Sequence, residues 1–183
     1  MRHSSTKLRE GQGGFSILEM MFATVILLVG LVAIAQIVPA SILMNQQNRT
    51  NSSALVFAQH ELDQMLDQPM TANSFTDALG NVCLLGDPAV TNTVQGTNVL
   101  LYSNPWNPND ARAVIDFTSS VPGYTFTFQD ATDPSGTTYD VRWAVIITGN
   151  GSTASSKRFM LGVRQVGGNG YFQPITLDTI VAK

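Results

Sequence analysis

The distribution of apolar residues divides the chain into three parts. Residues 1–14 are mostly polar and basic, and they end in Gly13-Gly14. From Ile17 to Val38 almost every residue is apolar, and at the α-helical rise this segment is about 33 Å long, enough to cross a bilayer core. Beyond it, polar residues interrupt the apolar ones throughout. The pattern predicts a leader over 1–14, an apolar helix over 15–38 and a water-exposed remainder.

A second helical pattern follows the apolar segment. Apolar residues recur at spacings of three and four, which is the signature of one buried helix face. They are Leu55, Ala58, Leu62, Met65 and Leu66. Asp67 and Pro69 then end the pattern. We expect an amphipathic stalk helix over 39–68, with a bend near Pro39 because proline removes a backbone donor.

From residue 69 the periodicity changes to two. Apolar residues alternate with polar ones in Tyr124–Gln129, Tyr139–Ile147 and Phe159–Arg164, a pattern typical of strands with one buried face. Val99–Tyr102 and Ile175–Val181 are weaker strand candidates. We predict an α+β fold, in which a head over 69–183 forms an antiparallel sheet of four or five strands packed on the apolar stripe of the helix.

The junction of leader and apolar segment carries a specific motif. Basic residues precede Gly14, Phe15 follows it, and Glu19 lies at the head of the apolar run. A secretory signal places its apolar core before the cut, whereas here the core follows the junction. A carboxylate in a membrane helix is costly, about 2.5–3.5 kcal/mol at the helix centre and less near its end. An ordinary single-pass anchor explains the hydrophobicity of this segment but not Glu19.

This order of parts resembles the prepilin-type signal of the type IV pilin family. The resemblance implies the pilin fold, cleavage after Gly14 by a prepilin peptidase, and methylation of the new amine of Phe15. It also implies that Glu19 pairs with the terminal amine of a neighbouring subunit during assembly. The basic leader places the head outside the cytoplasm. The protein would be a single-pass inner-membrane protein before assembly, and part of an extracellular pilus or periplasmic pseudopilus afterwards.

A second, less specific resemblance indicates which group within this family the chain is similar to. The pattern Ala54-x-x-Phe57-Ala58-Gln59-x-Glu61-Leu62 is similar to minor pilins of the PilV group and to type II secretion pseudopilins. Many major pilins close a loop with a disulfide, which a single cysteine, Cys83, cannot do. The resemblance therefore favours a minor pilin, with a pseudopilin, a major pilin or a tip-displayed adhesion or DNA-uptake module as alternatives. Its partners would be other pilin subunits, the prepilin peptidase and the inner-membrane assembly machinery.

Charge argues against nucleic acid as a main ligand. Only 13% of the residues are charged and the formal net charge is −3. Phosphate binding requires clustered Lys and Arg, whereas here they are dispersed. Arg142, Lys157 and Arg158 are the one candidate cluster, and we expect them to lie on a solvated strand face.

The sequence offers no catalytic motif. Its two histidines, His3 and His60, fall in the leader and on the stalk, and no cysteine–histidine cluster suggests zinc. We therefore predict no enzyme activity, no cofactor and no metal. Cys83 lies among apolar neighbours and is expected to be a small buried hydrophobe, and His60 to be solvated.

Two loops of the head remain as candidate contact sites. Residues 104–110 are rich in turn residues and contain Trp106, which would either cover the sheet edge or contact a partner. Residues 130–136 carry Asp130 and Asp133, with Asp140 beyond. Such carboxylates can bind calcium, but aspartate also favours turns by bonding its own backbone, and we favour the turn.

Overall fold

The computed structural model of the chain describes residues 14–104, 107–129, 136–150, 153–167 and 174–182. Within these ranges it contains one helix, α1 (Ile17–Asp67), and nine strands. The strands are β1 (Ser74–Thr76), β2 (Val82–Leu84), β3 (Val94–Gly96), β4 (Val99–Asn104), β5 (Asn107–Ile115), β6 (Thr125–Gln129), β7 (Thr138–Gly149), β8 (Ala154–Val166) and β9 (Ile175–Ala182). The chain divides into two compact units, Met1–Gln46 and Gln47–Lys183.

The predicted helix is confirmed as a single element that contains Pro39. Its part in the second unit packs against the sheet through a stripe of buried residues. These are Ala54, Ala58, Glu61, Leu62 and Met65. Leu55, predicted to lie in this stripe, is 36% exposed, and Ala54 takes its place. Phe57 lies beside the stripe, where its ring stacks on that of Phe128 with 3.9 Å between centroids.

The main sheet has five antiparallel strands, within the predicted number, but the strand candidate at Val99–Tyr102 belongs to β4, which pairs with β5 in a separate hairpin. The order of the main sheet is β3-β7-β8-β9, and β6 also pairs with β7. The long β7–β8 hairpin runs from the Thr138–Val166 pair to the Gly149–Ala154 pair. A face of apolar residues on β7 and β8 forms the core with the helix stripe. It includes Val141, Trp143, Val145, Ile147, Phe159, Leu161 and Val163.

The prediction of one buried face is wrong for the centre of this sheet. Both faces of β7 are buried from Tyr139 to Val145. The second face is covered by the β4–β5 hairpin, where Ile115 packs on Ala144 and Met160. Close packing here requires Gly162, since a Cβ at that position would lie 2.8 Å from Cβ of Ile115.

The predicted loop over 104–110 is also wrong in part. Asn107 begins β5 and lies opposite Asn104, so that residues 107–110 belong to a strand. Pro105 and Trp106 fall outside the described residues, and the prediction for Trp106 stays a prediction. The short strands β1, β2 and β3 were not predicted because three residues carry too little periodicity.

Candidate membrane-anchoring and assembly site

The first turn of α1 is capped by a serine. The backbone N–H of Glu19 donates to Oγ of Ser16 at 3.1 Å, and the N–H of Met20 donates to the Ser16 carbonyl at 3.1 Å. Ser16 is therefore the N-cap and Glu19 the third helical residue, in the spacing of a capping box. Sequence reasoning missed Ser16, although the Ser-x-x-Glu spacing was there to find. Glu19 also lies in the first turn of the helix, where the positive end of the helix dipole stabilises a carboxylate.

Gly14 and Phe15 precede this cap. A Cβ at Gly14 would meet no atom within 4 Å among the described residues, and Gly14 is not among the glycines with positive φ. The described residues therefore place no steric demand for glycine at this position. Phe15 is 84% exposed. Residues 1–13 of the predicted leader lie outside the described residues.

The apolar segment of α1 is exposed to solvent with respect to the described residues. Large apolar side chains from Ile17 to Met44 are exposed on all sides of the helix, with Ile17 at 83% and Leu28 at 63%. It is the one helix in the described part of the chain that is long and apolar enough to cross a membrane. A helix that is apolar all round is stable only in a lipid or protein environment. The segment is therefore a candidate membrane anchor.

The head buries one carboxyl group of the stalk. Glu61 is 1% exposed, and its Oε1 accepts a hydrogen bond from Nε2 of Gln64 at 3.2 Å. Its Oε2 has no partner among the described residues. Nδ1 of His60 lies 3.6 Å from Oε1. Burial, and next the charge of Asp77, raise the pKa of Glu61.

Cys83 is buried and free, as predicted. Burial, followed by the charges of Asp77 and Glu61, raises the pKa of its thiol to about 12. The thiol is therefore protonated at physiological pH and a weak nucleophile. His60, with 62% of its side chain exposed, is solvated as predicted.

The three basic residues of the candidate cluster do not share a solvated face, which corrects that prediction. Arg142 is buried, and its Nη2 donates to Oδ2 of Asp140 at 2.9 Å. Lys157 is 2% exposed, and its Nζ donates to the carbonyl oxygen of Ala72 at 2.7 Å. Burial lowers the pKa of Lys157. The prediction failed because the side chain of Lys157 points to the helix side of β8. Residue type alone does not reveal on which side of a strand a lysine lies.

Asp140 is engaged by arginines. Besides Arg142, Nη2 of Arg164 donates to its Oδ2 at 3.1 Å. The other two acids of the calcium hypothesis, Asp130 and Asp133, lie outside the described residues. Within the described ranges no group of three His, Cys, Asp or Glu side chains could hold a metal ion.

Comparisons with protein-family models, with curated proteins and with solved structures find no match for this chain.

Proposed function

We propose that the protein is a type IV pilin-like structural subunit, and specifically a minor pilin. The observation that carries the proposal is the Gly14–Phe15 junction, followed by a capped apolar helix with Glu19 in its first turn. A prepilin peptidase cuts after Gly14 and methylates the amine of Phe15. The subunit then enters a fibre through its apolar helix, with a head of the pilin fold outside the membrane.

The local chemistry supports this assignment of the junction. The described residues around Gly14 leave space for a side chain and do not require glycine there. Recognition by a peptidase would supply a reason for glycine at this position. Cleavage creates a cation at Phe15, about one helical turn from Glu19. In the low dielectric of a helix bundle, this cation and a neighbouring subunit's Glu19 attract each other and fix the axial stagger.

The exposed apolar surface supports assembly through the same segment. Helices such as this one bury their side chains in lipid before assembly and against one another in a fibre. The α+β head, carried on the stalk part of the helix, agrees with the architecture expected of a pilin. A type II secretion pseudopilin shares all of these features, and the distribution of the protein between cell fractions distinguishes the two.

The proposal is tested by co-expression with a prepilin peptidase and comparison of Gly14→Val with Gly13→Val. We expect Gly14→Val to keep its leader, because a branched side chain blocks the cleavage site. Gly13→Val is the matched control and should still be cut. Equal processing of both variants, or cleavage at another bond, would contradict the assigned junction.

A further inference from the structure

A cleft of about 620 Å³ lies between β5 and the outer face of the main sheet. Five consecutive residues of β5, Ala111–Ile115, line one side of it. Arg158, Thr176 and Asp178 of β8 and β9 line the other. Tyr102 of β4 and Pro174 also line the cleft. Contact with consecutive residues of β5 means that the cleft reaches the edge of this strand, because each face of a strand presents only alternate residues.

The register of the β4–β5 hairpin determines which backbone groups face this cleft. The N–H of Asp116 donates to the carbonyl of Asn98, which makes this pair a hydrogen-bonded one. Hydrogen-bonded and non-hydrogen-bonded pairs alternate in an antiparallel ladder, and Leu101 opposite Ala113 is therefore a non-hydrogen-bonded pair. The N–H and C=O of Ala113 consequently point away from β4, whereas the register shift between Tyr102 and Asn104 leaves Ala111 outside the regular ladder.

This edge of β5 has no neighbouring strand among the described residues. Ala111 and Ala113 have small side chains that leave space beside their backbone. The edge therefore presents unpaired backbone N–H and C=O groups. An extended peptide can bind such groups and add to the hairpin as another strand. A cleft of this volume also falls within the range of ligand-binding sites.

The charges lining the cleft indicate what the peptide carries. Arg158 forms an ion pair with Asp178, with Nε donating to Oδ1 at 2.9 Å, and this wall is neutral as a result. Arg112 lies over the ring of Tyr102, with 5.3 Å from Cζ to the ring centroid, and has no carboxylate partner among the described residues. With respect to the described residues, this fork of guanidinium donors is therefore available to bind a carboxylate.

We propose that this cleft binds an extended peptide segment of a partner protein. The peptide adds to the edge of β5 through the backbone of Ala113, and an acidic side chain of the peptide pairs with Arg112. The inference concerns the head alone and does not depend on the function of the amino-terminal segment.

The test is selection from a display library of short random peptides on the full-length protein in detergent micelles. We expect the enriched peptides to share an acidic residue among β-branched ones. Arg112→Ala should weaken their binding about tenfold, because a charge-assisted hydrogen-bond pair is lost. Arg112→Lys should recover only part of this affinity, because lysine keeps the charge but not the fork.

Two proline variants test the backbone contacts. Ala113→Pro removes an N–H that faces the cleft, and Leu101→Pro removes the equivalent N–H on the opposite edge of the hairpin. We expect about a tenfold loss for Ala113→Pro alone, with both variants melting at similar temperatures. No enrichment, enriched peptides without an acid, or equal binding by the two proline variants would overturn the proposal. Concentration-dependent self-association that Ala113→Pro abolishes would also overturn it, because the occupant would be a second copy.

Discussion

At the scale of single residues, Glu61 is a carboxyl group of the stalk helix that lies in the protein interior. It is buried, and Oε2 lacks a partner among the described residues. Because burial raises its pKa above the ordinary value of 4.5, the folded state holds the proton more tightly than the unfolded state. The stability that this confers is complete below the unfolded-state pKa and is lost as the pH rises through the folded-state pKa.

We therefore predict that Glu61→Gln stabilises the head increasingly as the pH rises. The gain in free energy of unfolding should be about 1 kcal/mol near about pH 8 and close to zero below about pH 4.5. Asp63→Asn is the control, since Asp63 is exposed on the same helix. Denaturant unfolding at several pH values measures both variants. A pH-independent effect of Glu61→Gln would refute a raised pKa at Glu61 in the folded state.

Cys83 gives a second prediction at this scale. Because its thiol is buried and its pKa is raised to about 12, it should not react with a thiol reagent at neutral pH while the protein is folded. The same reagent should label it fully in denaturant, where the thiol is accessible. Rapid labelling of the folded protein would mean that β2 opens readily or that its packing is misassigned.

At the scale of elements, Asp140 joins β7, β8 and the segment after β5. Its carboxylate binds Arg142 and Arg164, and both guanidinium groups lie against the ring of Phe117, at 5.3 and 4.7 Å from its centroid. Arg142 Nη1 also donates to the carbonyl of Ser119. The cluster fixes residues 117–119 on the outer face of the sheet.

Removal of this carboxylate should be far costlier than removal of an exposed one. Asp140→Asn leaves the buried Arg142 without its counter-charge, and we expect a loss of about 3 kcal/mol in the free energy of unfolding. Asp178→Asn breaks the ion pair with Arg158, whose members are 43% and 40% exposed, and should cost less than about 1 kcal/mol. Equal losses in denaturant unfolding would show that Asp140 is not a structural charge.

Long elements with regular periodicity were predictable from the sequence. The helix, β6, β7 and β8 were found because each carries a clear period, whereas β4 and β9 were weaker candidates because their alternation is less regular. The packing of the β4–β5 hairpin on the main sheet was not predictable. In Tyr139–Ile147, apolar residues alternate with less apolar ones, which indicates one buried face of the strand and does not reveal that the hairpin covers the other face. The burial of Glu61 and Lys157 depends on tertiary neighbours and was likewise out of reach.

At the scale of the whole molecule, the apolar half of α1 is exposed with respect to the described residues and is long enough to cross a membrane. If Glu19 fixes the stagger between subunits, Glu19→Gln should insert into the membrane and be cut after Gly14, yet enter fibres at a level reduced about tenfold or more. Quantitative comparison of membrane and sheared-fibre fractions measures this. Normal incorporation of Glu19→Gln would remove the pairing argument while leaving the cleavage site intact.

The most direct test of the central claim is the chemical identity of the mature amino terminus. Fibres sheared from the native cell, and the membrane fraction, would be digested and the amino-terminal peptide identified by mass spectrometry. We expect a peptide that begins with methylated Phe15, abundant in the fibres for a pilin and confined to the membrane fraction for a pseudopilin. A peptide that begins at Met1 in both fractions would contradict the proposed cleavage and leave only a membrane-anchored domain.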